Sequence, residues 1–298
     1  MSPFGFLSLA LEGRNVILSL EQKSNRAGLS RRSAVADEEA TTTREPQSKG
    51  ETVINAILFD HDGVLVNSMP YHVQAWQEVM ARHGVEIDPL EIYLQEGATT
   101  MEVAAELCHR YRKPASPELV QRIVAEKRDM YLAINQTVIN DGVLEFIEHV
   151  KERRYRMGIV TGSIRAQVEP VLGEYMLSLF DCLITADDVE YGKPDPEPYL
   201  RAARKVACAP SECLVIENAP LGIISAKAAG MSVIAITSTL ASYHLRQADA
   251  VVSDFWELRR RFPGIVSKLE GPTFQPQPQS AKPERDFYPL TDVDYEEQ

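Results

Sequence analysis

Short apolar runs alternate with stretches of helical spacing along most of this chain. "VINAILFD", "RMGIVTGS", "DCLITADDV", "CLVIEN", "SVIAITST" and "ADAVVSD" read as strands, and residues 142–153, 163–177, 195–207 and 219–229 read as the helices that separate most of them. Strands divided by helices are joined by crossovers, so the alternation implies an α/β protein with a parallel sheet covered on both faces. The pattern is broken once. Between the first two strands, residues 69–139 carry helical spacing only, as in "YHVQAWQEVMARHG" and "LVQRIVAEKRDMYLAI". This stretch reads as an inserted helical cap.

With 298 residues and 44% hydrophobic content the chain can bury a sizeable core. No apolar run approaches the ~20 residues that span a bilayer. "GFLSLAL" near the start lacks a basic segment before it, so neither a secretory signal nor a membrane partner is expected. The net charge of -12 argues against a nucleic-acid partner, which demands basic stripes. Cys108, Cys182, Cys208 and Cys213 show no metal-type pairing and read as core positions in a reducing compartment. A cytoplasmic location is expected. Arg14, Lys23, Arg26, Arg31 and Arg32 in the first 36 residues are also compatible with an organelle transit peptide. Residues 1–52 and 269–298 are polar or Pro- and Gln-rich without period, and are expected to be disordered.

In an open parallel sheet, ligands bind at the carboxyl ends of the strands. The first strand ends in Asp60 and Asp62, two carboxylates close enough to repel unless they share a proton or a cation. Taken alone, Asp-His-Asp-Gly is equally an ordinary turn. The other strand ends carry compatible groups: Thr161, Gly162 and Ser163 in "TGS", Lys193 in "GKPDP", and the pair Glu217 and Asn218. Hydroxyl and N–H groups suit phosphate oxygens, lysine supplies positive charge, and oxygen ligands suit a hard cation such as Mg2+.

In order and position, "FDHDGVLVNS", "VTGS", "GKPDP" and "IENAPLGIISAKAAGM" resemble the four motifs of the haloacid dehalogenase superfamily, over about residues 53–254. The helical insertion resembles the cap of the phosphoglycolate phosphatase and β-phosphoglucomutase branch. The resemblance implies a Rossmann-like three-layer core from residues 53–68 and 140–268, with the cap from 69–139. It makes Asp60 the nucleophile that forms an aspartyl-phosphate, and Asp62 the general acid and base, a role that needs one carboxyl group protonated beside one ionised. Thr161, Gly162, Ser163 and Lys193 would hold the phosphoryl group. Mg2+ would be bound by Asp60, the Asp62 carbonyl, Glu217 and Asn218, the last a neutral ligand where Asp is frequent.

Several neighbours read as structural. His61 should point away from the partners of Asp60, and Tyr71, His72 and Trp76 read as cap core. Asn67 and Ser68 lie near the hinge, within approach of the phosphate. The implied activity is a Mg2+-dependent phosphatase acting on a small phosphorylated metabolite, by a monomer or weak homo-oligomer. A phosphomutase is the rival. In β-phosphoglucomutases the cap loop has the form Lys-Gly-x-x-Arg, whereas "EGATT" here places Glu96 and Thr100 at those points, which favours hydrolysis. Arg110, Arg112 and Lys113 are left on the cap surface. A non-catalytic metabolite-binding module is a third reading, motivated by Asn218.

Overall fold

The structure is a computed structural model and describes residues 53–270. The expected extension over 1–52 lies outside the described residues, as does the tail from 271 onward. Residues 269 and 270, assigned to that tail from the sequence, instead belong to the core: Leu269 is buried and the Glu270 carboxylate accepts a hydrogen bond from Ile54 N at 3.0 Å.

Six strands form one parallel sheet: β1 (Ala56–Phe59), β2 (Arg156–Val160), β3 (Cys182–Ile184), β4 (Cys213–Glu217), β5 (Ser232–Ile236) and β6 (Ala250–Val252). Their order is β3-β2-β1-β4-β5-β6, the doubly wound arrangement whose direction of winding reverses between β1 and β4. Every residue of β1, β4 and β5 is buried, as strands covered on both faces must be.

The alternation of side chains along β1 feeds two cores. Ile57 and Phe59 face Phe146, Val168 and Phe262, while Ala56 and Leu58 face Tyr199, Ala202 and Ile223. The insertion between β1 and β2 contributes α1 (Met69–Arg82), α2 (Pro89–Leu94), α3 (Thr100–Arg110) and α4 (Pro117–Ile134). Next come α5 (Val143–Glu152), α6 (Arg165–Leu177), α7 (Glu197–Lys205), α8 (Pro220–Ala228) and α9 (Phe255–Leu269). Helices α5, α6 and α9 cover the first face, α7 and α8 the second.

Two helices depart from the sequence reading. Expected over 163–177, α6 starts at Arg165 and is broken at Gly173, which takes φ 69° just after Pro170 has removed a donor. Helix α9 was not expected at all. Pro263 lies inside it, yet Phe255, Leu258, Phe262 and Ile265 keep one apolar face on the sheet, and tertiary burial overrides the proline.

Helices α1 to α4 close around a core of their own, built on Trp76, Met80, Leu107 and Ile123 among others. Capping boxes start α2 at Asp88 with Glu91 and α3 at Thr99 with Glu102, each cap contributing about 1 kcal/mol. The two chain crossings to the insertion run side by side. Val66 bridges Ile139, Asn67 N donates to Val138 O, and the Asn140 side chain donates to the carbonyls of Gly63 and Val64.

Candidate active site

The crevice beyond the carboxyl ends of β1 and β4 is where the winding reverses, and Asp60 stands at its centre. Its carboxylate is 3% exposed, and Lys193 Nζ donates to its Oδ1 at 2.5 Å. The same ammonium donates to Glu217 Oε1 at 2.7 Å and to Val160 O at 3.1 Å, so all its hydrogens are used inside the protein. Burial pushes Asp60 well above the ordinary carboxylate range; Lys193 opposes this, while Glu217 and Asp62 add to it. For Lys193, burial alone would lower the pKa, but Asp60 and Glu217 outweigh it and hold the ammonium well above its usual value.

Glu217 is more fully engaged than the resemblance implied. Oε1 accepts from Lys193 and from the Tyr199 hydroxyl, and Oε2 accepts from the backbone N–H groups of Asn218 and Ala219. A carboxylate offers about four acceptor positions, and these four donors take them all. In this arrangement Glu217 anchors Lys193 and the turn into α8, and is not an open ligand.

Asp62 is surrounded by donors. Ser68 Oγ lies 2.6 Å from Oδ1, Ser163 Oγ 2.8 Å and Thr161 Oγ1 3.2 Å from Oδ2, and His72 Nε2 3.4 Å from Oδ1. Burial pushes its carboxyl upward, but His61, His72 and Ser68 together overcome this and hold it well below the usual range. The two carboxyls are thus pushed in opposite directions, Asp60 upward by burial and Asp62 downward by its donors. Thr161 and Ser163, expected on phosphate, turn their hydroxyls to Asp62. Gly162 lies between them beneath the insertion, where an added Cβ would come within 2.6 Å of Gly97 O and 2.9 Å of Ala98 O.

The insertion contributes groups that the sequence reading assigned to core or missed. His72 is stacked on Tyr131, its Nδ1 lies 2.7 Å from Lys127 Nζ, and its Nε2 faces Asp62. Burial and Lys127 lower His72 to about 4, and burial lowers Lys127 to about 8. Trp76 is both cap core and a wall of the site. Lys127 had one sequence signal: it shares a helix face with Ile123 and Tyr131, an unusual place for a lysine unless it is paired. Arg110 is occupied by Glu91 and Glu106. His61 is buried, with Nδ1 finding no partner among the described residues.

Glu96 does not project toward solvent. It is 5% exposed and accepts from Asn218 Nδ2 at 2.6 Å and from Thr239 Oγ1 at 3.2 Å. Burial pushes its carboxyl well above the ordinary range, with the charge of Asp60 adding to the effect. Asn218 Oδ1 and Gln95 Oε1 are buried without a partner among the described residues. The crevice between Asp60, Asp62, His72, Trp76, Gln95 and Lys127 leaves a volume of about 50 Å³, and the contact of Glu96 with Asn218 brings the insertion down onto its rim. A wider open groove of about 640 Å³ runs past Ser238, Ser242 and Ser253, but it contains none of these carboxylates.

Among the described residues no three His, Cys, Asp or Glu side chains are gathered as a chelating group. What the crevice offers a cation is a set of oxygens, with the unpartnered Asn218 Oδ1 as the acceptor that needs one. No helix among the described residues is long and apolar enough to cross a membrane.

A doubly wound sheet with paired aspartates after β1, a lysine clamped to the first, and a helical insertion over them defines a class, and residues 57–236 match the family model described as haloacid dehalogenase-like hydrolase. The chain belongs to that family. It is 36% identical over 205 residues to validoxylamine A 7'-phosphate phosphatase of Streptomyces hygroscopicus subsp. limoneus, covering 68% of this chain and 94% of the relative. It is 30% identical over 183 residues to the fructose-1-phosphate phosphatase YqaB of Escherichia coli K12, covering 60% of this chain and 94% of the relative. The crystal structure of β-phosphoglucomutase from Clostridium difficile superposes with a TM-score of 0.65 at 26% identity, over 72% of this chain and 98% of that one.

Proposed function

We propose that the protein is a Mg2+-dependent phosphatase of small phosphorylated metabolites of the sugar-phosphate class, working through a phosphorylated Asp60. The clamp of Lys193 on Asp60 Oδ1 carries this reading, because it leaves the other carboxylate oxygen as the nucleophile and supplies positive charge where the phosphoryl group would be transferred. Attack by that oxygen forms a bond to phosphorus as the bond to the leaving alcohol breaks. Asp62 gives the alkoxide a proton, then takes one from the water that hydrolyses the aspartyl-phosphate.

To act as an acid, Asp62 must first be protonated and freed from its donors. His72, neutral and aimed at its Oδ1, is positioned to hold that proton path. Mg2+ would be held by Asp60, the backbone carbonyl of Asp62 and Asn218 Oδ1, and when bound would neutralise charge on the phosphoryl oxygens and favour the ionised form of Asp60. Thr161, Gly162 and Ser163 would receive phosphate oxygens once Asp62 moves. Insertion residues Trp76, Gln95 and Lys127 would face the organic part of the substrate.

The relatives named as phosphatases support hydrolysis, and one of them is named for fructose 1-phosphate. Against mutase chemistry stands Glu96, which directs a carboxylate into the crevice where a second phosphate would need a cation. The test is a panel of phosphorylated metabolites with Mg2+, reading released inorganic phosphate and the isotope of labelled water in it. Release of labelled phosphate from at least one sugar phosphate is expected. Isomerised sugar phosphate forming faster than free phosphate, or no turnover of any member, would overturn the reading.

A further inference from the structure

The geometry points to Glu96 as a positioning residue for the cation: carried on the insertion, it orients the Asn218 amide, so that closure of the insertion and cation binding become one linked event. This rests on the reading of Asn218 Oδ1 as a cation ligand.

An asparagine amide can sit in either of two orientations, and what surrounds it decides which. Here both Nδ2 hydrogens are used, one toward Glu96 Oε1 at 2.6 Å and the other toward Thr239 Oγ1 at 2.9 Å. Thr239 in turn donates to Glu96 Oε2 at 3.2 Å, closing a ring of three side chains. With Glu96 ionised, turning the amide over would set its carbonyl oxygen against a carboxylate, acceptor against acceptor. The orientation that remains leaves Oδ1 buried and without a partner among the described residues, in a residue of zero exposure.

The same ring accounts for asparagine in a place where aspartate is frequent. An ionised aspartate at 218 would set a second negative charge against Glu96, whereas the asparagine amide gives it a hydrogen, so Glu96 and Asn218 are a matched pair. The match is made only when the insertion is closed. Glu96 belongs to the loop between α2 and α3, while Asn218 and Thr239 follow β4 and β5 of the core. Gly63 makes the approach possible: it takes φ 73°, and a Cβ there would meet Asn218 Nδ2 at 2.1 Å and Glu96 Oε1 at 2.6 Å. When the insertion swings out, Glu96 leaves and the amide loses the partner that fixes it. Partners of this kind typically change metal affinity 10- to 100-fold, and linkage requires the cation to favour closure by the same factor that closure favours the cation.

The test uses the full chain without substrate and Mn2+ as the probe, with binding read by electron paramagnetic resonance and hydrogen exchange read at the amides of residues 95–100. Glu96→Ala should weaken Mn2+ binding by about tenfold or more. Glu96→Gln, whose amide oxygen can still accept from Asn218 Nδ2, should retain most of the affinity. Mn2+ should slow exchange over 95–100 in the wild type and leave it unchanged in Glu96→Ala. Asn218→Asp should bind more weakly than Asn218→Asp combined with Glu96→Gln, which removes the facing charges. If Asn218→Ala weakens binding while Glu96→Ala does not, the positioning role is wrong and the ligand reading stands. If the wild type binds no Mn2+, or Asn218→Ala binds it unchanged, the ligand reading fails and this inference with it.

Discussion

Lys127 Nζ lies 2.7 Å from His72 Nδ1, and this contact fixes which imidazole nitrogen carries a proton. The ammonium donates, so Nδ1 accepts and the ring hydrogen sits on Nε2, facing Asp62 Oδ1 at 3.4 Å. With His72 lowered to about 4 the ring is neutral near pH 7, and the charge that organises it belongs to Lys127, lowered to about 8. Below that value Lys127 is charged and the tautomer is held; above it the amine is neutral and the tautomer is released. The expected outcome is a fall in kcat/KM as pH rises through about 8. Lys127→Arg should abolish that limb, because a guanidinium stays protonated throughout. An identical alkaline limb in the variant would assign it to another group. Folding stability should move the other way: between about 8 and the ordinary lysine value of 10.5 the unfolded chain binds the proton that the folded one releases, so stability rises with pH across that window.

Lys193 pairs two carboxylates that are otherwise stranded in the interior. Replacing it with Met leaves Asp60 and Glu217 uncompensated, which should destabilise the fold by about 3–5 kcal/mol at neutral pH. The loss should shrink on acidification, as the stranded carboxyls take up protons. Urea unfolding of the variant at neutral and acidic pH checks both the size and the trend; wild-type stability at neutral pH would contradict the pairing.

Asp60→Asn should lower kcat by more than about 10³-fold while far-ultraviolet circular dichroism stays that of the wild type, because the amide is nearly isosteric but cannot attack phosphorus. Asp62→Asn should behave differently. With a good leaving group it should accumulate protein one phosphoryl group heavier, since attack needs no proton there while hydrolysis of the intermediate does. Intact-mass measurement after rapid quenching decides; steady wild-type turnover in Asp62→Asn would place the proton elsewhere.

Gly162→Ala puts a methyl group 2.6 Å from Gly97 O and 2.9 Å from Ala98 O, contacts that only movement of the closed loop can relieve. Since a displacement of about 1 Å at a reacting site can cost about 10²-fold, kcat/KM should fall by that order with little change in thermal midpoint. Equal kinetics for the variant would mean that the loop between α2 and α3 does not close over Gly162 during turnover.

The sheet was legible in the sequence because buried parallel strands are written as continuous apolar runs, and their tips were legible because Asp60, Lys193 and Glu217 stand directly after or near such runs. Helix α9 was hidden by Pro263, whose local penalty is outweighed by an apolar face that only the finished core reveals. The insertion's share of the site left little local trace beyond the lysine on the buried face of α4. His72 meets Lys127 across 55 residues and Glu96 meets Asn218 across 122, and neither separation sets up a period that a window along the chain can detect. At Glu217 the position was visible, while the four donors to its carboxylate come from Tyr199, Lys193 and two backbone N–H groups brought together by folding.

The paired crossings at Val66 and Ile139 act on more than the insertion they carry. Through Asn140 they are fastened to the carbonyls of Gly63 and Val64, in the turn that follows Asp62. The joint is therefore anchored in the turn that carries Asp62, so the insertion and the second aspartate share one foundation. A different helical domain grafted between the same two crossings would inherit that foundation, which makes the joint the part of this architecture to keep when the rest of the lid is exchanged.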